Sequence, residues 1–127
     1  MPEIRIMIVD DSAMMRMIIS GIVNKIAGAT VVALCENGTA ALTALNAARP
    51  NVILTDIEMP GMDGLTFLRQ LMQEQPIPTV ICSTLSTQGS AIALEAMAAG
   101  AVAVVAKPRL GLKQFLEESR RELIGTL

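Results

Sequence analysis

The sequence predicts a doubly wound α/β sandwich built on a parallel sheet, on three observations. Five short runs at 4–9 (IRIMIV), 30–35 (TVVALC), 52–55 (VILT), 79–82 (TVIC) and 101–105 (AVAVV) are rich in β-branched residues and almost wholly apolar. Strands that read as continuous apolar runs, rather than alternating ones, are those buried on both faces of a sheet. Segments of helical spacing separate these runs, and strand–helix alternation with short loops is the pattern of a parallel sheet with helices on both faces. The length of 127 residues, 52% of them apolar and 17% charged, suits one domain spanning 1–127 with a substantial core.

The helical segments have recognisable ends. Ser12 is placed to cap a first helix with Met14, Met17, Ile18 and Ile22 on one face, which stops near Gly28. Asn37 or Thr39 opens a second, with Leu42 and Leu45 inward, ending before Pro50. A third runs from about Asp63 to Glu74 on Leu65, Leu68, Leu71 and Met72, and stops before Pro76. Ser86 or Thr87 starts a fourth, which Gly100 ends as a C-cap, and a fifth carries Leu112, Phe115, Leu116, Leu123 and Ile124.

Composition removes several classes of function. A net charge of −2 gives no electrostatic footprint for nucleic acid. No secretory signal opens the chain, because Glu3 and Asp10 interrupt its apolar start. The longest nearly apolar segment, 91–106, is broken by Glu95 and Gly100 and is too short to span a bilayer. A cytoplasmic location, with no membrane partner, is the expectation. Cys35 and Cys82 read as two small buried thiols and the nine Met as core and helix-face filler. Neither GxGxxG nor GxxxxGK occurs, and there is no Trp or Tyr to stack a flavin ring, which excludes nucleotide enzymes and flavin carriers.

In such a fold the ligand site lies at the carboxyl ends of the strands. Those ends carry Asp10-Asp11, Asp56, Ser83-Thr84 and Lys107-Pro108. Each residue alone has an ordinary structural use: helix cap, turn former, strand-end hydroxyl or loop lysine. Together, at one sheet edge, they specify more. Crowded carboxylates repel unless a cation stands among them, and Mg²⁺ suits a site offering few carboxylates plus water and phosphate oxygens. With Lys107 as a second cation and Ser83 as a donor, the set forms a pocket for a phosphoryl group beside one nucleophilic carboxylate. The added charge would draw Ser83 and Lys107 toward it and shift the segments that follow them.

At VDDS (9–12), LTDIEMPGMDG (54–64), ICST (81–84) and AKP (106–108) the chain resembles the response-regulator receiver family, over essentially its whole length. The resemblance implies a flavodoxin-like (βα)5 fold with strand order 2-1-3-4-5. It also implies that Asp56 is the phosphoacceptor, with Asp11 a direct Mg²⁺ ligand and Asp10 a ligand through water. Glu58 would give the metal its backbone carbonyl, Ser83 would be the switch hydroxyl, and Lys107 would contact the phosphate. The Lys107-Pro108 bond is expected to be cis. A histidine kinase is the implied phosphoryl donor, docking with help from Met14 to Met17, and an effector domain or downstream protein is the implied target. Such a domain would catalyse its own phosphorylation and dephosphorylation.

Within the family, VDDSAMMR, STLSTQGS and KPRLG are similar to the regulatory domain of chemotaxis methylesterases. The esterase chemistry itself is excluded from this chain, since no His exists to build a Ser-His-Asp triad. Two alternatives stand beside this reading: a stand-alone chemotaxis-type regulator and a degenerate receiver that acts by binding alone. Two positions depart from the family pattern. Val104 occupies the place of a common aromatic and puts the usual ring-shift readout in question. Thr84 is bulkier than the Ala often found there and would restrict access to the phosphoryl site.

Overall fold

The computed structural model describes residues 3–57, 59, 62–83 and 91–106, with only the main chain of Ser83 and Ala106. Strand and helix alternate as β1 (Ile4–Val9), α1 (Ala13–Asn24), β2 (Ala29–Cys35), α2 (Gly38–Ala48), β3 (Val52–Thr55), α3 (Gly64–Glu74), β4 (Thr79–Ser83), α4 (Ala91–Ala98) and β5 (Ala103–Ala106). Every pairing is parallel. The sheet order is β2-β1-β3-β4-β5, as the family resemblance implies. The expected fifth helix, the expected start of the fourth at Ser86 or Thr87, and Glu58, Thr84 and the Lys107-Pro108 bond lie outside the described residues.

Alternation along the strands divides the core in two. Ile6 and Ile8 face one side, where Ile19, Ile22 and Val23 of α1 cover them together with Val52, Leu54 and Val80. Met7, Val9 and Ile53 face the other, against Ala41 and Leu45 of α2 and Phe67 and Leu71 of α3. Successive side chains point to opposite faces, and both faces are covered, so the strands carry no polar alternation. In α4 the buried residues are the small Ala93 and Ala96, the latter packing with Leu68 and Ile81. Among the described residues no helix is long and apolar enough to cross a membrane.

The helix starts are fixed by side-chain acceptors for amides that a helix leaves open. Ser12 Oγ accepts from the Met15 amide at 3.1 Å, Asn37 Oδ1 from Ala40 at 2.8 Å, and Asp63 Oδ1 from Thr66 at 2.8 Å. Asn37, not Thr39, is therefore the second cap. Two boundaries differ from the sequence expectation by more than one residue. The first helix ends at Asn24 because the Lys25 and Ile26 amides bond three residues back, to Ile22 and Val23. Gly28, at φ +83°, turns the chain into β2. The fifth strand begins at Ala103 rather than Ala101, because Ala101 belongs to the end of α4. Gly100, at φ +118°, donates to the Met97 carbonyl and Ala101 donates to Ala96, the paired bonds of a Schellman turn.

The amino-end edge of the sheet is closed by Arg5. Its guanidinium donates to the carbonyls of Ala48 (2.5 Å) and Arg49 (3.1 Å) at the end of α2, where a cation is favoured. The Arg5 amide also donates to Asn51 Oδ1 at 2.8 Å, and the Asn51 amide returns a bond to the Arg5 carbonyl at 2.7 Å.

Candidate functional site

The carboxyl edge gathers the acidic residues. Val9 and Thr55 are register partners in neighbouring strands, so Asp10 and Asp56 leave the sheet side by side. The Asp56 amide donates to the Val9 carbonyl at 3.0 Å. Asp10, Asp11 and Asp56 each bring one oxygen within 4.8 Å of the other two. Asp10 and Asp56 are buried, at 1% and 8% exposure, while Asp11 opens the cluster to solvent.

Main-chain geometry fixes each buried carboxylate. Asp10 is tied to β2 by its amide, which donates to the Cys35 carbonyl at 3.0 Å. Its Oδ1 accepts from the Ser12 amide at 2.9 Å. Asp56 Oδ1 accepts from the Ile57 amide at 2.8 Å, and the buried Thr55 hydroxyl donates to the Asp56 carbonyl at 3.1 Å. The donor set is all oxygen, which selects a hard cation over a thiophilic one. Two buried carboxylates and one exposed leave a side open for water and phosphate oxygens, the arrangement Mg²⁺ prefers. The residues present therefore fit a divalent cation of that kind.

Of the other predicted site residues, Ser83 ends β4, whose neighbour β3 ends at the residue before Asp56, so its main chain lies at the same edge. Its register partner is Ala106, the residue before Lys107. Lys107, Glu58 and Thr84 lie outside the described residues. Val104 lies in β5, half-buried, and packs against the cluster of Ile57, Leu68 and Ile81.

Two residues at this site escaped the sequence reading. Arg16 donates from Nη1 to the Asp10 carbonyl at 2.7 Å, holding the turn between the paired acids. A signal for it exists: a cation four residues into a helix opposes the helix dipole, so it needs another partner. Gly64 is the second. The chain that leaves at Asp56 returns there, the Gly64 amide donating to the Ile57 carbonyl at 2.7 Å. A Cβ on Gly64 would stand 2.1 Å from the Asp56 carbonyl oxygen and 2.7 Å from Ile57 Cα. That contact is tertiary, and no local pattern announces it. Cys35, as expected, behaves as a buried apolar group: burial pushes its thiol above the usual value, and Arg16 only partly offsets this.

A parallel α/β sheet with paired acids after its first strand and a third acid after the adjacent one defines a class of signalling domain. The response regulator receiver domain family matches residues 6–118, and the chain belongs to it. Its similarity runs to the chemotaxis methylesterases. It is 50% identical over 121 residues to a protein-glutamate methylesterase/protein-glutamine glutaminase 2 of Xanthomonas campestris pv. campestris, covering 95% of this chain and 34% of the relative. The solved response regulator domain of Thermotoga maritima CheB is 33% identical with a TM-score of 0.89, over 98% of this chain and 96% of that one. A chain from the complex of the CheA3 P1 domain with CheY6 of R. sphaeroides is 38% identical with a TM-score of 0.80, over 98% and 99%. The likeness to the methylesterase regulatory domain is thus borne out, and the chain spans about a third of the length of the curated relatives it matches.

Proposed function

We propose that this chain is a single receiver domain, 1–127, that works as a phosphorylation-operated switch of a chemotaxis pathway in the cytoplasm. The observation that carries the reading is the convergence of Asp10, Asp11 and Asp56 within 4.8 Å at the carboxyl edge of the sheet. Asp56 is the nucleophile, its carboxylate oriented through Oδ1 by the Ile57 amide. A carboxylate oxygen forms the new bond to phosphorus while the N–P bond of a phosphohistidine breaks. The imidazole leaves with the electron pair and takes up a proton, and Asp56 becomes an acyl phosphate.

Asp11 would hold Mg²⁺ directly and Asp10 through water, with Asp56 and the Glu58 carbonyl as the remaining protein ligands. Bound there, Mg²⁺ supplies the charge that lets one anion approach another. Lys107 contacts the phosphoryl oxygens, Ser83 moves to donate to them, and Thr84 narrows the approach. The change passes to a methylesterase-type effector domain or another downstream protein.

Acetyl phosphate supplied with Mg²⁺ is expected to add one phosphoryl group to the intact mass, and without Mg²⁺ to add none. Mg²⁺ binding with no gain in mass would sink the reading in favour of a degenerate receiver. The donor in the cell is a chemotaxis-type histidine kinase, for which Met14 and Met17 on α1 offer exposed, adaptable thioethers at 69% and 74% exposure. Met14→Ala is expected to slow transfer from the kinase severalfold and to leave the acetyl phosphate reaction unchanged; equal kinase rates would remove Met14 from the docking surface.

A further inference from the structure

We infer that Gly38, at the start of α2, is a positioning residue for the Asp56 carboxylate and acts through Met62. The inference rests on the reading of Asp56 as the metal-assisted phosphoacceptor. Its basis is a notch in the packing. A Cβ built on Gly38 would stand 2.9 Å from Met62 Sδ, 3.1 Å from Met62 Cγ and 3.0 Å from Phe67 Cβ. Gly38 does not lie in the left-handed region, so only this contact, and no backbone conformation, demands glycine there.

The three atoms met belong to one short stretch of chain. Met62 precedes the α3 cap Asp63, and Phe67 lies in the first turns of α3 with no exposure at all. Between them sits Gly64, whose amide bonds the Ile57 carbonyl and whose Cα rests against the Asp56 main chain. The Met62 thioether packs on the core shared by α2 and α3, which also holds Met59 from the same loop. The notch at Gly38 thus seats the chain that closes on Asp56. Pressure there is relieved either by Met62 moving out or by the start of α3 moving away. The first route removes the Met62 packing that seats this segment, and the second moves the segment itself, whose Gly64 amide bonds the Ile57 carbonyl beside the amide that orients the Asp56 carboxylate. Gly38 belongs to a different element from any of the three acids, so a substitution leaves the ligand set intact.

The test measures Mg²⁺ affinity directly, through Mn²⁺ competition followed by water-proton relaxation, beside far-UV circular dichroism. Gly38→Ala is expected to weaken Mg²⁺ by roughly tenfold, the lower end of what changes behind a ligand cost. Met62→Ala, which empties the notch without adding bulk, is expected to weaken it in the same direction, and Met62→Leu to stay within about twofold of wild type, because volume-conserving swaps are tolerated. Helical content stays unchanged in the two Met62 variants, so the inference survives a Gly38→Ala chain that does not fold. Wild-type affinity in both Gly38→Ala and Met62→Ala overturns it. A wild-type protein that binds Mg²⁺ yet takes no phosphoryl group fails the phosphoacceptor reading, and the affinity series then judges the positioning effect separately.

Discussion

Asp56→Asn is expected to take no phosphoryl group from acetyl phosphate at any Mg²⁺ concentration, while folding as the wild type does. Asn keeps the size of the side chain and an oxygen to accept the Ile57 amide at the place of Asp56 Oδ1. What it loses is the nucleophilic charge. It also removes one of three anions held within 4.8 Å of one another, so repulsion in the metal-free protein falls. The thermal midpoint without Mg²⁺ should equal or exceed that of the wild type, and the rise on adding Mg²⁺ should be smaller. Intact mass and circular dichroism melting read both effects. A mass gain in this variant would show that another residue is the acceptor. An unfolded variant would mean that the Asp56 charge is structural.

The second large effect is expected at Gly64. Its missing side chain lets the start of α3 lie against the main chain of Asp56, where a Cβ would meet the carbonyl oxygen at 2.1 Å. The obstruction is backbone rather than a flexible side chain, so neither partner can rotate away. Gly64→Ala should cost about 3 kcal/mol, the upper part of the range for overpacking. That corresponds to a fall of roughly 10 °C in melting midpoint for a chain of this size. Gly21 is the control: it lies within α1 with nothing within 4 Å of a built Cβ. Gly21→Ala should raise stability by about 0.5–1 kcal/mol, as Ala does for Gly within a helix. If Gly64→Ala melts within a few degrees of wild type, the neck at Asp56 is looser than the geometry states.

Most of the fold was legible because its determinants are local. Continuous apolar runs marked the strands, Ser12 marked the first helix start, and Asn37 or Thr39 and Asp63 placed the next two to within about two residues. The acidic cluster followed from position alone, since Asp10 and Asp56 directly succeed two buried strands. Strand order was different in kind: periodicity cannot say that β1 lies between β2 and β3, and only the family resemblance supplied it. Both boundary errors fall where backbone bonds set a helix end, at Lys25 and Ile26 for the first helix and at Ala101 for the fourth. Ala101 and Val102 are apolar and β-compatible, but the Schellman bond from Ala101 to Ala96 claims the first of them for the helix end. Arg16 bonds a carbonyl only six residues away and left a local signal, whereas the contacts of Gly38 and Gly64 stayed hidden because each depends on an approach between separate segments. A glycine's use is written in its neighbours, and the sequence does not name them.

The two ends of β1 have separate duties, and the separation has an evolutionary consequence. Arg5 binds the last carbonyls of α2 at one end, and Asp10 joins the acid cluster at the other. Five residues of extended chain at about 3.3 Å each put them roughly 16 Å apart. Mutational effects are usually additive beyond about 7–10 Å when no partner is shared. Changes that strengthen the Arg5 end can therefore offset the cost of altering the acid edge without touching its chemistry. A lineage can vary the acid edge at one pole of the strand while it repairs stability at the other.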